Sequence, residues 1–215
     1  MREFRFECLK SNTGIFLLKQ KGFWMVLAII YVDNALFCGS NKAIVDEVKA
    51  HFMQKWECRD LDKACKFLHM HMHWNGCKIS INQCTYLDIV LKCHEMANAK
   101  SVPTPLPSRY YPMPNMESLN TVLQFRFKQV IRLLLYLSLG THLNIAYAIT
   151  VLACQSTNSS EDHLNKVVYI CCYLIRTWNY FLNYDSYSRL GIMACTDSDW
   201  DSNLTLCYSQ TSYFF

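Results

Sequence analysis

Asp33 and Asn34 interrupt an apolar stretch, with Phe23-Trp24-Met25-Val26-Leu27-Ala28-Ile29-Ile30-Tyr31-Val32 before them and Ala35-Leu36-Phe37-Cys38 after. An anionic side chain on so apolar a ribbon is costly unless it faces water, a cation or a hydrogen-bond donor. A hairpin that presents Asp33 at its turn is therefore a candidate metal ledge. The plainer account is a turn residue, since Asp and Asn both tolerate left-handed backbone. Asp197, Asp199 and Asp201 form a second acidic group, for which a solvated strand end is the plain account. His69, His71 and His73 alternate with Met70, Met72 and Trp74, with Cys65 and Cys77 flanking the row. On one strand face their Cα atoms would stand about 7 Å apart, a spacing at which two imidazoles can share a zinc or copper ion. No zinc signature matches that spacing, and a wet sheet face explains it more simply.

The elements that must position these residues read as a mixed α/β chain. Gly14 to Lys19 and Phe23 to Phe37 look like strands, with the second folding into a hairpin about an Asp33-Asn34 turn. Ile44, Val45, Val48, Phe52 and Trp56 make one face of a helix over Lys42 to Trp56, with Asn41 as its N-cap. Lys66 to Trp74 alternates as a strand, Asn75-Gly76 is a hairpin turn, and Cys77 to Ile81 pairs back. Asn82 caps a helix to about Met96, with Tyr86, Ile89, Val90 and Cys93 inward. Pro103, Pro105, Pro107, Pro112 and Pro114 make an extended linker, the clearest internal boundary. Thr121 to Leu139, His142 to Gln155 and Glu161 to Trp178 are helical patterns, and Ser159-Ser160 opens the last. Tyr180 to Tyr184, Leu190 to Thr196 and Gln210 to Phe215 read as strands, and no repeat or low-complexity tract is present.

Tyr31-Val32-Asp33-Asn34 resembles the Tyr-Val-Asp-Asp box of reverse transcriptases, and further segments follow in the same order. These are Gly39-Ser40-Asn41, Glu57-Cys58-Arg59-Asp60-Leu61, Phe67-Leu68, Pro103-Thr104-Pro105-Leu106-Pro107, Leu134 to Thr141, Asn144 to Ala148 and Thr196-Asp197-Ser198-Asp199-Trp200. The order is similar to copia-type retrotransposon polyproteins, in which reverse transcriptase runs through a connecting region into ribonuclease H. That resemblance implies RNA-directed DNA synthesis by two-metal phosphoryl transfer, with Mg2+ held by carboxylates and substrate phosphates together. It makes Asp33 a polymerase metal ligand and Asp197 the first metal ligand of ribonuclease H. Asn34 stands where the family has its second Asp, and its neutral amide should weaken ion binding. The remaining polymerase Asp would precede Met1 and the other ribonuclease H acids would follow Phe215, so this chain is expected to lack them.

Smaller departures accompany these. The family has Gly where this chain has Asp62, His69 and Arg132, and Arg-Pro-Asp where it has His142-Leu143-Asn144. A Gly at such places often marks a positive backbone angle or a close approach that a bulky residue would strain. Leu206-Cys207-Tyr208 stand where the family favours a basic pair before Ser209. Each departure is expected to remove something, as in a drifting copy of a mobile element.

Composition sets wide bounds. The 215 residues are 52% hydrophobic, enough for a real core, and a net charge of +4 does not by itself announce nucleic-acid binding. Lys42, Lys49, Lys55, Arg59, Lys63, Lys66, Lys78, Lys92 and Lys100 form either a phosphate-tracking face or ordinary solvated surface. The 12 cysteines are irregularly spaced behind a start with no signal-peptide character, so reduced, mostly buried thiols are expected, with Cys171-Cys172 as helix packing. Phe23 to Val32 covers only half of the roughly 20 residues a membrane helix needs, so no membrane partner and an intracellular location, cytoplasmic or nuclear, are expected.

The expected fold is therefore α/β (α+β). A reverse-transcriptase palm and thumb remnant occupies 1–100, a proline linker and helical connection 101–178, and an incomplete ribonuclease H-like sheet 179–215. The expected function is a catalytically impaired reverse transcriptase fragment whose partners are an RNA or DNA primer-template and an intact element-encoded polymerase. The alternative is a non-catalytic nucleic-acid-binding or assembly remnant. Incorporation abolished by Asp33→Ala would mark the enzyme, and salt-dependent binding without incorporation the alternative.

Overall fold

The computed structural model describes residues 6–20, 23–93, 99–108, 110, 120–186, 195–198 and 211–214. It forms a mixed α/β chain with antiparallel sheets, divided into two compact units between Leu68 and His69.

In the first unit, β1 (Glu7–Cys8), β2 (Ile15–Gln20), β3 (Phe23–Tyr31) and β4 (Asn34–Gly39) form one antiparallel sheet in sequence order. Alternation divides its faces. Val26 and Ala28 are fully buried, and Ala28 lies opposite both Phe16 and Phe37. Helix α1 (Lys42–Lys55) packs on that side, its Phe52 ring edge-on to Phe37 at 5.4 Å between centroids. Asn41 caps it as expected, its side chain accepting from the Ala43 amide at 2.9 Å, and Val48 is its buried residue. The predicted inner position Trp56 is instead the exposed C-cap. Strand β5 (Lys66–Phe67) closes the unit after a loop whose Asp60 pairs with Lys49 of α1, the pairing that holds the Asp60 carboxyl below the usual range.

The strand expected over Lys66 to Trp74 is broken. Leu68 and His69 have φ of 49° and 58°, and β6 (Met70–Asn75) begins only after them. His69 thus lies off the strand and cannot share the face of His71 and His73. Asp62, with φ 59°, is the other Gly-type position in left-handed backbone, so two of the three bulky replacements do sit where strain was expected. Arg132 does not, because it lies in the interior of a helix, where Arg is favoured over Gly.

In the second unit, β6 pairs with β7 (Lys78–Asn82), and β7 also pairs with β8 (Leu182–Asp185). The register Asn75↔Lys78 makes Gly76-Cys77 the turn, one residue later than read from sequence, with Gly76 at φ 57°. Strand β8 joins this hairpin rather than the later strands. Strands β9 (Cys195–Ser198) and β10 (Thr211–Phe214) pair separately as an antiparallel ribbon, and the expected residues 190–194 lie outside the described ones.

The core of this unit is helical. Helices α2 (Cys84–Cys93), α3 (Thr121–Gly140), α4 (Ala146–Ala153) and α5 (Glu161–Arg176) enclose Leu87, Val90, Phe127, Leu134, Ile149 and Leu174, all with no measurable exposure. Val90 was expected inward, whereas Ile89 is 51% exposed and Leu87 takes its place, in step with a face that includes Leu91. A short 3-10 turn, Leu143–Ile145, precedes α4. Ser160 caps α5 through a capping box with His163. The proline segment is no free linker where it is described. Val102 donates its amide to the Cys172 carbonyl at 3.4 Å, Thr104 meets Tyr169 at 3.4 Å, and Tyr110 donates its hydroxyl to Asp162 at 3.2 Å. Val102, Leu106 and Tyr110 thereby lie along α5 against the core.

His142 sits fully buried in a polar cage with Gln83, Thr141 and Thr177. The Thr141 hydroxyl stands 3.0 Å from Gln83 Oε1 and 3.1 Å from His142 Nδ1, and His142 Nε2 is 3.3 Å from the Thr177 carbonyl. With the hydroxyl hydrogen given to the amide, a neutral ring can join this network by donating from Nδ1 to the Thr141 oxygen. Asn144 donates to the Tyr173 hydroxyl at 2.6 Å, so this tripeptide makes contacts rather than merely losing them.

Burial pushes both His142 and His163 below the ordinary histidine range. The folded chain therefore disfavours protons that the unfolded chain accepts, so stability is full above about pH 6.5 and falls as the pH drops below it. Thermal melts followed by circular dichroism should show a lower Tm at pH 5 than at pH 7.5, with part of the drop removed in a His142→Gln variant. A Tm that rises on acidification would contradict this.

Candidate functional site

The hairpin of β3 and β4 carries the candidate site. Tyr31 lies opposite Asn34, so the two-residue turn is Val32-Asp33, one residue earlier than read from sequence. Asp33 keeps its place at the tip, and Asn34 becomes the first residue of β4. Val32 is 86% exposed with φ 53°. Positive φ at the first loop residue suits a tight antiparallel turn, yet a β-branched residue there is strained. Nothing in the sequence signals it, because Val is among the last residues expected in left-handed backbone.

Asp33 and Asn34 are both exposed, and the Asn34 side-chain nitrogen donates to Asp33 Oδ1 at 2.8 Å. Gly14 allows close approach near the tip, and Gly39 allows it at the far end of the hairpin, where β4 meets α1. A Cβ on Gly14 would stand 2.8 Å from the Ile30 carbonyl oxygen, and one on Gly39 would stand 2.7 Å from Val45 Cγ2.

The remaining candidates belong to the second unit. Asp197 lies on β9 opposite Ser212, and Asp199 and Asp201 lie outside the described residues. His71 Nε2 is 2.9 Å from the Thr85 hydroxyl, and the His73 ring packs edge-on to Phe181 at 6.5 Å. Both imidazoles therefore have structural partners. Among the described cysteines, the expectation of buried thiols fails for most. Cys8, Cys38, Cys58, Cys65, Cys77 and Cys154 are exposed, whereas Cys171 is buried and its thiol pushed up to about 12.

Among the described residues, no group of three or more His, Cys, Asp or Glu is placed to hold a metal ion. One carboxylate and an amide turned nitrogen-first do not fit a paired divalent site, which wants several converging anionic oxygens. No helix among the described residues is long and apolar enough to cross a membrane.

Residues 1–108 match the family described as reverse transcriptase (RNA-dependent DNA polymerase), a family that generally uses divalent metal ions. The retrovirus-related Pol polyprotein from transposon TNT 1-94 of Nicotiana tabacum is 25% identical over 197 residues, covering 88% of this chain and 15% of the polyprotein. That from transposon RE1 of Arabidopsis thaliana is 26% identical, covering 88% of this chain and 13% of its own length. An uncharacterized mitochondrial protein of Arabidopsis thaliana is 26% identical, with 80% of this chain and 70% of that protein covered. No solved structure matches. The chain thus spans about one seventh of the polyproteins it resembles. With its family match over half its length, the chain belongs to the reverse transcriptase (RNA-dependent DNA polymerase) family, as a copia-type retrotransposon reverse transcriptase fragment.

Proposed function

We propose that the chain is a primer-template-binding segment of an RNA-directed DNA polymerase whose own residues support catalysis poorly. The observation that carries this is the tip itself, where an exposed Asp33 is presented by an apolar ribbon and joined by an amide instead of a second carboxylate. In this reading, residues 1–100 supply palm and thumb, 101–178 a proline segment and helical connection, and 179–215 the start of a ribonuclease H-like domain, with β9 and β10 as its sheet strands and β8 paired to β7. Asp33 and Asp197 hold the ligand positions of the two centres, and Asn34 is the degenerate position. The family's metal chemistry, with Mg2+ as the ion, would need more carboxylates than the described residues bring together. Partners are an RNA or DNA primer-template and an intact element-encoded polymerase, in a cytoplasmic or nuclear setting.

The test is fluorescence anisotropy on a labelled primer-template beside a nucleotide-incorporation assay with the purified chain. Affinity should fall on the order of tenfold or more between 50 and 200 mM salt, as expected when a few phosphates are contacted, with little sequence preference. Incorporation should stay far below that of full-length relatives. Brisk unaided extension would overturn the impairment, and absence of any salt-dependent binding would overturn the nucleic-acid role. The second reading, a purely non-catalytic binding or assembly remnant, is favoured by the amide at Asn34 and gains if no incorporation at all is found.

A further inference from the structure

At the hairpin tip the Asn34 amide nitrogen donates to one oxygen of the Asp33 carboxylate, at 2.8 Å. A carboxylate only accepts, so the amide must offer it the nitrogen end, and the amide oxygen is turned the other way. A cation shared by the two side chains would require the reverse, with two oxygens converging on one point. The two arrangements exclude each other at a single side chain.

Backbone geometry keeps the pair together. Tyr31 lies opposite Asn34, and the Val32 turn allows only Val32 and Asp33 between them, so Asp33 and Asn34 remain adjacent at the mouth of the ribbon. Among the described residues, no three acidic, histidine or cysteine side chains converge to hold an ion.

We infer that the Asn34 amide nitrogen acts as a built-in surrogate for a cation, capping the Asp33 carboxylate and leaving the tip without affinity for a divalent ion. Replacing the amide with a carboxylate removes the donor and sets two like charges side by side, a repulsion that a dication relieves. One added anion about 4 Å from a dication in a water-like medium raises ion affinity on the order of ten- to thirtyfold. The inference rests on the reading of this hairpin as the family's metal ledge, and it goes further by assigning the amide an active blocking role.

Mn2+ titration of the full chain, followed by electron paramagnetic resonance of the free ion, tests it without any reaction. The unaltered chain should bind Mn2+ at the tip no better than Asp33→Ala does. Asn34→Asp should gain at least tenfold, and Asp33→Asn in the Asn34→Asp background should abolish the gain. All these side chains are exposed, so circular dichroism should show every variant folded. If the unaltered chain binds Mn2+ in a way that Asp33→Ala weakens tenfold, the blocking role fails while the ledge stands. An Asn34→Asp chain that gains nothing overturns both.

Discussion

Phe127→Ala should lower the unfolding free energy by about 3–5 kcal/mol, the range for deleting a fully buried aromatic ring. Phe127 is fully buried on α3, in a cluster with residues from α2, α4 and α5, so the void it leaves has walls on every side. A loss of that size is comparable to the whole stability of a marginal domain. Urea unfolding followed by far-ultraviolet circular dichroism should show the helical signal lost at a much lower midpoint. Phe127→Leu keeps most of the volume and should cost less than about 1.5 kcal/mol. Equal midpoints for the alanine variant and the unaltered chain would show that the ring is not part of the core.

Gly39→Ala should be nearly as damaging, although it adds one methyl group. Gly39 lies opposite Val26 where β4 leaves the hairpin for α1, and a Cβ there would collide with the Met25 carbonyl oxygen and stand 2.7 Å from Val45 Cγ2. A backbone oxygen inside a ladder cannot step aside, so strand and helix must part, at about 2–3 kcal/mol or more. Gly76→Ala provides the contrast. Its φ of 57° makes alanine uncomfortable but nothing lies within 4 Å, so about 1–2 kcal/mol is expected. Amide hydrogen exchange should show lost protection across β3, β4 and α1 for Gly39→Ala and only local loss for Gly76→Ala. The reverse ranking would contradict the close packing described at Gly39.

Local signals in the sequence served well where one segment decides the outcome. Asn41 and Ser160 cap helices because a side-chain oxygen next to a free amide needs nothing else. Val48 and Val90 face inward because helical spacing alone determines a face. Both hairpins were legible, but each turn lies one residue from the position read. Turn chemistry favours Asn and Asp, whereas strand pairing chose Val32 and Cys77 to fill the loops. Ile89 and the exposed cysteines show that an apolar side chain need not be interior when its segment turns another face to the core. The proline segment read as a linker because Pro forbids regular structure, and nothing local says that Val102 and Tyr110 will meet α5. At the site, Asp33 stood out as a lone charge on an apolar ribbon. That Asn34 would donate to it, and that Val32 would accept left-handed backbone, depended on register and could not be seen beforehand.

The cage around His142 draws on residues that leave the ribosome at very different moments. Gln83 and Thr141 emerge first, and the Thr177 carbonyl, which meets the imidazole, comes only after all of α5 has been made. Until then the nascent polypeptide must keep an amide and an imidazole solvated beside an unfinished helical core, because contacts this distant along the chain form late. Messages broken off before Thr177 would accordingly yield products that cannot close the cage.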